Sequence, residues 1–110
     1  MDAELIKELA LLHEQVCDAL GSPIRLMIFY ALNEGSRNVT DLAEELDLPQ
    51  PTVSRHLRVL RERGLVSAQR EGPAVYYALT DDRVMQALDL MRSVLRDRVR
   101  RQAKITEKMS

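Results

Sequence analysis

The segment from Leu42 to Val66, LAEELDLPQPTVSRHLRVLRERGLV, constrains the fold more than any other part of the chain. Val53, Leu57 and Leu60 recur at i, i+4 and i+7, the spacing of one buried helical stripe, while Pro51, Arg55, Arg58 and Glu62 fall on the opposite face. The pattern predicts two short helices joined by a tight turn. The second leaves a polar face free, as a helix must to lie in a DNA groove.

A chain of 110 residues, 45% hydrophobic and 30% charged, fits one globular domain, and 4% aromatic content without tryptophan points to an aliphatic, helix-dominated core. No apolar run approaches the ~20 residues needed to span a bilayer, and the Met-Asp-Ala-Glu start lacks the basic and apolar parts of a signal peptide. A cytoplasmic protein with no membrane partner is expected. The net charge of −1 argues against a nonspecific nucleic-acid binder, but the charge is segregated. Residues before position 50 carry three basic against ten acidic side chains. From Gln50 to Arg70 there are five arginines (Arg55, Arg58, Arg61, Arg63, Arg70) against Glu62 alone. Phosphate attraction follows local potential, so this patch weighs more than the total.

Around this centre the sequence predicts further elements. Leu5, Leu9, Leu12, Val16 and Leu20 share one side of a first helix over residues 1–20, which ends at Gly21. Ser22 as N-cap and Pro23 at the first helical position start a second helix, apolar nearly all round, that stops at Gly35. Thr40 is placed to cap the next short helix, Leu48-Pro49 to form the turn, and Gly64 to close the basic helix as a left-handed cap. Residues 65–70 and 74–79 read as a β-hairpin around Glu71-Gly72-Pro73. Thr80 then caps a last helix running to about Lys104, whose Val84, Leu88, Met91, Leu95 and Val99 form a narrow stripe. Neither terminal helix can hide such a stripe alone, which suggests a helical dimer interface.

The fold class expected is mainly α with a small β-hairpin, a winged helix-turn-helix. Cys17-Asp-Ala-Leu-Gly-Ser-Pro-Ile-Arg-Leu, Asp41-Leu-Ala-Glu-Glu-Leu, Gln50-Pro-Thr-Val-Ser-Arg-His-Leu, Gly64-Leu-Val, and Arg70-Glu-Gly through Tyr76-Tyr-Ala-Leu resemble the successive motifs of the ArsR-type (ArsR/SmtB) family of winged-helix repressors, over roughly residues 16–91. The resemblance implies one domain over residues 1–110, with terminal dimerisation helices at 1–20 and 80–104, a helix-turn-helix at 40–64 and a wing at 65–79. It implies a homodimer on a double-stranded, palindromic DNA operator, repressing transcription until a signal releases it.

The residues themselves divide the labour in the same way. Gln50, Thr52, Ser54 and Arg55, near the start of the basic helix, are the groove-facing set. Gln suits adenine, Arg suits guanine, and Ser and Thr serve bases or phosphates. Arg58, further along, suits a phosphate. His56 projects between the buried and exposed faces, leaving a partly buried structural role and a DNA contact both open. By the resemblance, Arg70 at the wing touches the DNA backbone or minor groove. Tyr76 and Tyr77 alternate faces, so at most one is core and the other is free to approach phosphate or a dimer partner.

The family's paired-cysteine site is missing, since residues 38–42 read Asn-Val-Thr-Asp-Leu, and no histidine follows His56 to build its site on the last helix. No metal site and no cofactor are expected. His13 and Cys17 share a helical face at i and i+4 and could form half of an intersubunit metal site or a thiol switch. Alternatively, Cys17 is a small buried hydrophobe. As the single cysteine it excludes an intrachain disulfide. A winged helix that binds a protein partner is the other function the pattern allows. An enzyme is not expected, because no nucleophile triad, metal-hydrolase motif or phosphate-cradling glycine loop is present.

Overall fold

A computed structural model describes residues 1–109. By its internal contacts the chain forms two compact units, Met1–Thr80 and a second beginning at Asp81. The first unit contains α1 (Ala3–Leu12), a π turn (His13–Cys17), α2 (Pro23–Asn33), α3 (Val39–Leu46), α4 (Gln50–Glu62), and the antiparallel strands β1 (Val66–Glu71) and β2 (Ala74–Leu79). The second is one helix, α5 (Asp82–Met109). Among the described residues no helix is long and apolar enough to cross a membrane.

The core of the first unit lies where α2, α3, α4 and the hairpin meet. Ile28, Phe29, Leu42, Val53, Leu57 and Leu60 are fully buried there. Each such side chain contributes about 1.5–3 kcal/mol relative to exposure. The i, i+4, i+7 stripe of α4 is thus the surface that fixes the helix to its unit. Gly64 closes α4 at φ 73°, with Leu65 N–H donating to Leu60 O (2.9 Å) and Gly64 N–H to Arg61 O (3.0 Å). These two bonds satisfy carbonyls that the helix end would leave bare. The chain then passes directly into β1.

The structure corrects several sequence expectations. The first helix is not continuous to Leu20, because Asp18 N–H bonds to His13 O (2.8 Å) across five residues. The carbonyl it would meet in an α-helix, Glu14 O, accepts instead from the Arg63 guanidinium. No side chain of α1 is buried, and Cys17 is exposed rather than a buried hydrophobe. The cap of α3 is Asn38, whose Oδ1 accepts from Asp41 N–H (2.8 Å), so the helix starts before Thr40. Its left-handed residue is Asp47 (φ 54°), one position before the expected Leu48-Pro49 turn.

The start of α5 also differs. Thr80 Oγ1 donates to Gly64 O (2.8 Å), and Asp81 supplies the capping oxygen, accepting from Arg83 N–H (2.9 Å). α5 runs beyond Lys104 to Met109, about 42 Å at 1.5 Å per residue. The Arg83 side chain, with its backbone N–H, holds the exposed Asp81 carboxyl down to about 2. A carboxylate depressed in the folded state adds stability that is complete above its unfolded value and fades as pH falls through the folded one. Acid melts followed by circular dichroism are expected to show a small loss of stability between pH 3.8 and about 2 that Asp81→Asn lacks.

Candidate nucleic-acid interface

α4 begins without a side-chain cap and without an acidic residue in its first turn. Its positive N-terminal end is therefore open to an anion. By contrast, α3 carries its own Asn38 cap and Asp41 in the first turn. Along α4, Gln50, Pro51, Ser54, Arg55, Arg58, Arg61 and Glu62 are exposed, while Thr52, His56 and Val59 are half-buried.

An open groove of about 480 Å³ runs beside this helix, lined by Pro51, Ser54, Arg55, Arg58, Arg61 and Tyr77. Five of these come from α4 and one from β2. Tyr77 is set in place by its backbone, which exchanges two hydrogen bonds with Arg37 (2.8 and 3.1 Å), and Arg37 Nε pairs with Glu45 on α3 (3.2 Å). The wing strand is thereby tied to the helix-turn-helix.

The three groove arginines differ in what holds them. Arg58 Nε pairs with Glu62 at 3.3 Å, but both side chains are mostly in solvent, and such an i, i+4 pair is worth only about 0.3–0.5 kcal/mol. A phosphate can displace it. Arg55 and Arg61 make no ion pair or side-chain hydrogen bond among the described residues. Arg63, the fourth arginine of the helical run, is engaged elsewhere: it donates to Glu14 O and pairs with Asp18 Oδ2 (2.9 Å).

Of the residues singled out from sequence, Ser54, Arg55 and Arg58 share the groove. Gln50 is exposed on the first turn, Thr52 is half-buried outside the groove lining, and Arg70 is exposed on β1 beside the Gly72 turn. His56 turns toward the body of the unit, with its Nδ1 3.2 Å from Arg25 Nη1. Burial, followed by the charges of Arg25 and Arg55, lowers its pKa below the usual histidine value. His13 and Cys17 are both exposed, and no cluster of three or more metal-ligating side chains occurs among the described residues.

Sequence reasoning missed Arg61 as a groove residue and left Tyr77 open, as one of two tyrosines free to approach phosphate or a dimer partner. Arg61 was legible, three positions beyond Arg58 on the same face. Tyr77 was not, since the strand alternation left its face undecided until Arg37 paired with it.

Comparison with known proteins gives a consistent picture. The pattern described as "Bacterial regulatory protein, arsR family" matches residues 22–68. An uncharacterized HTH-type transcriptional regulator of Methanocaldococcus jannaschii is 42% identical over 78 residues, covering 70% of this chain and 88% of that protein. Several other curated regulators are longer, and the match spans between 47% and 64% of their length. The transcriptional repressor BigR from Xylella fastidiosa superposes with a TM-score of 0.72 at 31% identity, covering 86% of this chain and 96% of that one. The homodimeric winged helix-turn-helix DNA-binding domain of a possible ArsR-family regulator from Mycobacterium bovis gives a TM-score of 0.77 at 28% identity, over 90% of this chain and 91% of that one. The ordered motifs and the winged helix-turn-helix agree with these matches: the chain belongs to the arsR family of bacterial transcriptional regulators.

Proposed function

We propose that the protein is a cytoplasmic, dimeric repressor that binds an imperfect palindromic operator through α4 and the β1–β2 wing until a signal releases it. The groove beside α4, with two guanidinium groups unpaired among the described residues and a third held only by a weak surface pair, is the observation that carries this reading. In it, Gln50, Thr52, Ser54 and Arg55 meet base edges at the N-terminal end of the helix. Arg58 and Arg61 take phosphates, and Arg70 on the wing reaches the backbone or minor groove.

Dimerisation through the terminal helices is supported by the uncovered part of each apolar stripe, for Leu88 of the last helix is buried and Val84, Val16 and Leu20 are half-buried. On α5, Met91, Leu95 and Val99 are 61, 59 and 60% exposed, and on α1 Leu5, Leu9 and Leu12 are also exposed. Leu95→Glu is expected to convert a sedimenting dimer to a monomer and to abolish cooperative occupation of two half-sites. An unchanged sedimentation coefficient would remove Leu95 from the interface.

The test of function is selection of duplexes from a random pool, followed by titration at several salt concentrations. A palindrome with half-sites one helical turn apart, about 34–36 Å, is expected. Affinity should fall steeply with salt, since each neutralised phosphate releases counterions. Failure to enrich any duplex at low salt would turn the reading toward a winged helix that binds a protein partner. Titrating the complex with metals, oxidants and thiol reagents then seeks the signal. His13 and Cys17 are both exposed, and release by an oxidant that persists in Cys17→Ser would eliminate the thiol.

A further inference from the structure

Two arginines, one in the first turn of α2 and one at the end of α4, converge on one short segment. Arg63, at the C-terminal end of α4, engages Glu14 O and Asp18 Oδ2. Arg25, in the first turn of α2, donates from Nε to Ala19 O and from Nη2 to Asp18 O (3.5 Å). Its remaining arm reaches across to α4, placing Nη1 3.2 Å from His56 Nδ1. These are contacts between residues 31 to 49 positions apart, except for the local pair at Ala19 and Asp18.

The chemistry of the Arg25–His56 contact has only one sense. A guanidinium carries donors and no acceptor, so Nδ1 must accept and the ring proton must sit on Nε2. A protonated imidazole would turn a second donor toward the guanidinium and break the contact. His56 lies between Arg55, which lines the groove, and Leu57, which is fully buried. Its ring therefore stands between the anchored face of α4 and the face that meets DNA.

We propose that Arg25 is a positioning residue for DNA binding: braced on the carbonyls of Asp18 and Ala19, it holds His56 as the neutral tautomer protonated on Nε2. That leaves one ring donor of fixed identity on the recognition helix. Arg25 touches no DNA itself. It acts through His56, and the lowered histidine pKa, set by burial and then by Arg25, accords with a ring kept neutral at the pH of the cell. The proposal rests on α4 being the DNA-reading helix.

The test has an arm that needs no DNA. Long-range proton–nitrogen correlation spectra of the free wild-type protein are expected to show His56 Nδ1 unprotonated and Nε2 protonated at pH 7.5. A protonated Nδ1 would overturn the proposal outright. In Arg25→Met the tautomers should mix and the ring should titrate at a higher pH than in wild type. A tautomer and titration unchanged from wild type would also overturn it.

With the selected operator, Arg25→Met is expected to weaken binding about tenfold, the scale of a coupling carried by one contact network. His56→Ala should weaken it comparably. The double variant should be no weaker than His56→Ala alone, because Arg25 then has nothing to act through. His56→Asn, which keeps an acceptor for Arg25, should recover part of the loss. Effects of the two single substitutions that simply multiply would sink the idea. Arg55→Ala, measured beside them, separates the two failures: if it too leaves binding intact, the α4 reading is wrong, whereas if it alone weakens binding, only Arg25's role is.

Discussion

Replacing Arg55 and Arg61 together by alanine is expected to weaken operator binding by about 2–4 kcal/mol per half-site, roughly 30- to 1,000-fold. Both side chains line the groove beside α4 and are exposed, and neither is held by an ion pair among the described residues. Their loss should therefore leave the folded state nearly untouched, with unfolding free energy within about 0.5 kcal/mol of wild type. The two single variants divide the effect by mechanism. Arg55, on the first half of the helix, should relax sequence preference at one base pair, as a lost bidentate base contact does. Arg61, on the last turn, should weaken all duplexes alike and flatten the salt dependence by about one unit of slope, as a lost phosphate contact does. Fluorescence anisotropy titrations against the operator and a scrambled duplex at several salt concentrations measure both. Full-strength binding by the double variant would place the DNA on another face.

The parts of this fold that were legible in the sequence are those written in periodicity and punctuation. The Val53, Leu57, Leu60 stripe, Gly64 as the left-handed close of α4, and the hairpin to within one residue all follow from local rules, since each is decided by neighbours in the chain. The caps were harder. Asn38 and Thr40 are both good capping residues, as are Thr80 and Asp81, and composition cannot say which oxygen reaches the bare N–H. The π turn was not legible. It depends on Arg63 taking the Glu14 carbonyl from a position 49 residues away, and a single distant guanidinium leaves no trace in the local pattern.

The same division runs through the candidate site. Ser54, Arg55 and Arg58 could be read as one outward face because a helix fixes their mutual position. His56 could not be settled, since it sits at the margin of that face and its partner, Arg25, lies 31 residues earlier. Tyr77 joined the groove only through a backbone pairing with Arg37, outside the hairpin that the sequence announced. The two residues placed by long-range polar contacts, His56 and Tyr77, were those that sequence reasoning left open.

Leu57→Ala is expected to cost about 2–5 kcal/mol of stability, a large share of the roughly 5–15 kcal/mol that holds a domain together. Leu57 is fully buried at the middle of the α4 stripe, between Val53 and Leu60, which are fully buried too. The loss combines the transfer free energy of the missing methyl-bearing carbons with a cavity that neighbouring side chains from α2 and α3 fill only partly. Because the same helix presents Arg55 and Arg58 on its other side, the substitution also tests how folding and DNA binding are coupled. If α4 keeps its seat in whatever protein remains folded, operator affinity corrected for the folded fraction should stay close to wild type. Urea unfolding followed by circular dichroism supplies both the stability and that fraction. A cost below about 1 kcal/mol would mean that the stripe is not the surface anchoring α4, since a fully buried leucine truncated in a close-packed core cannot be lost so cheaply.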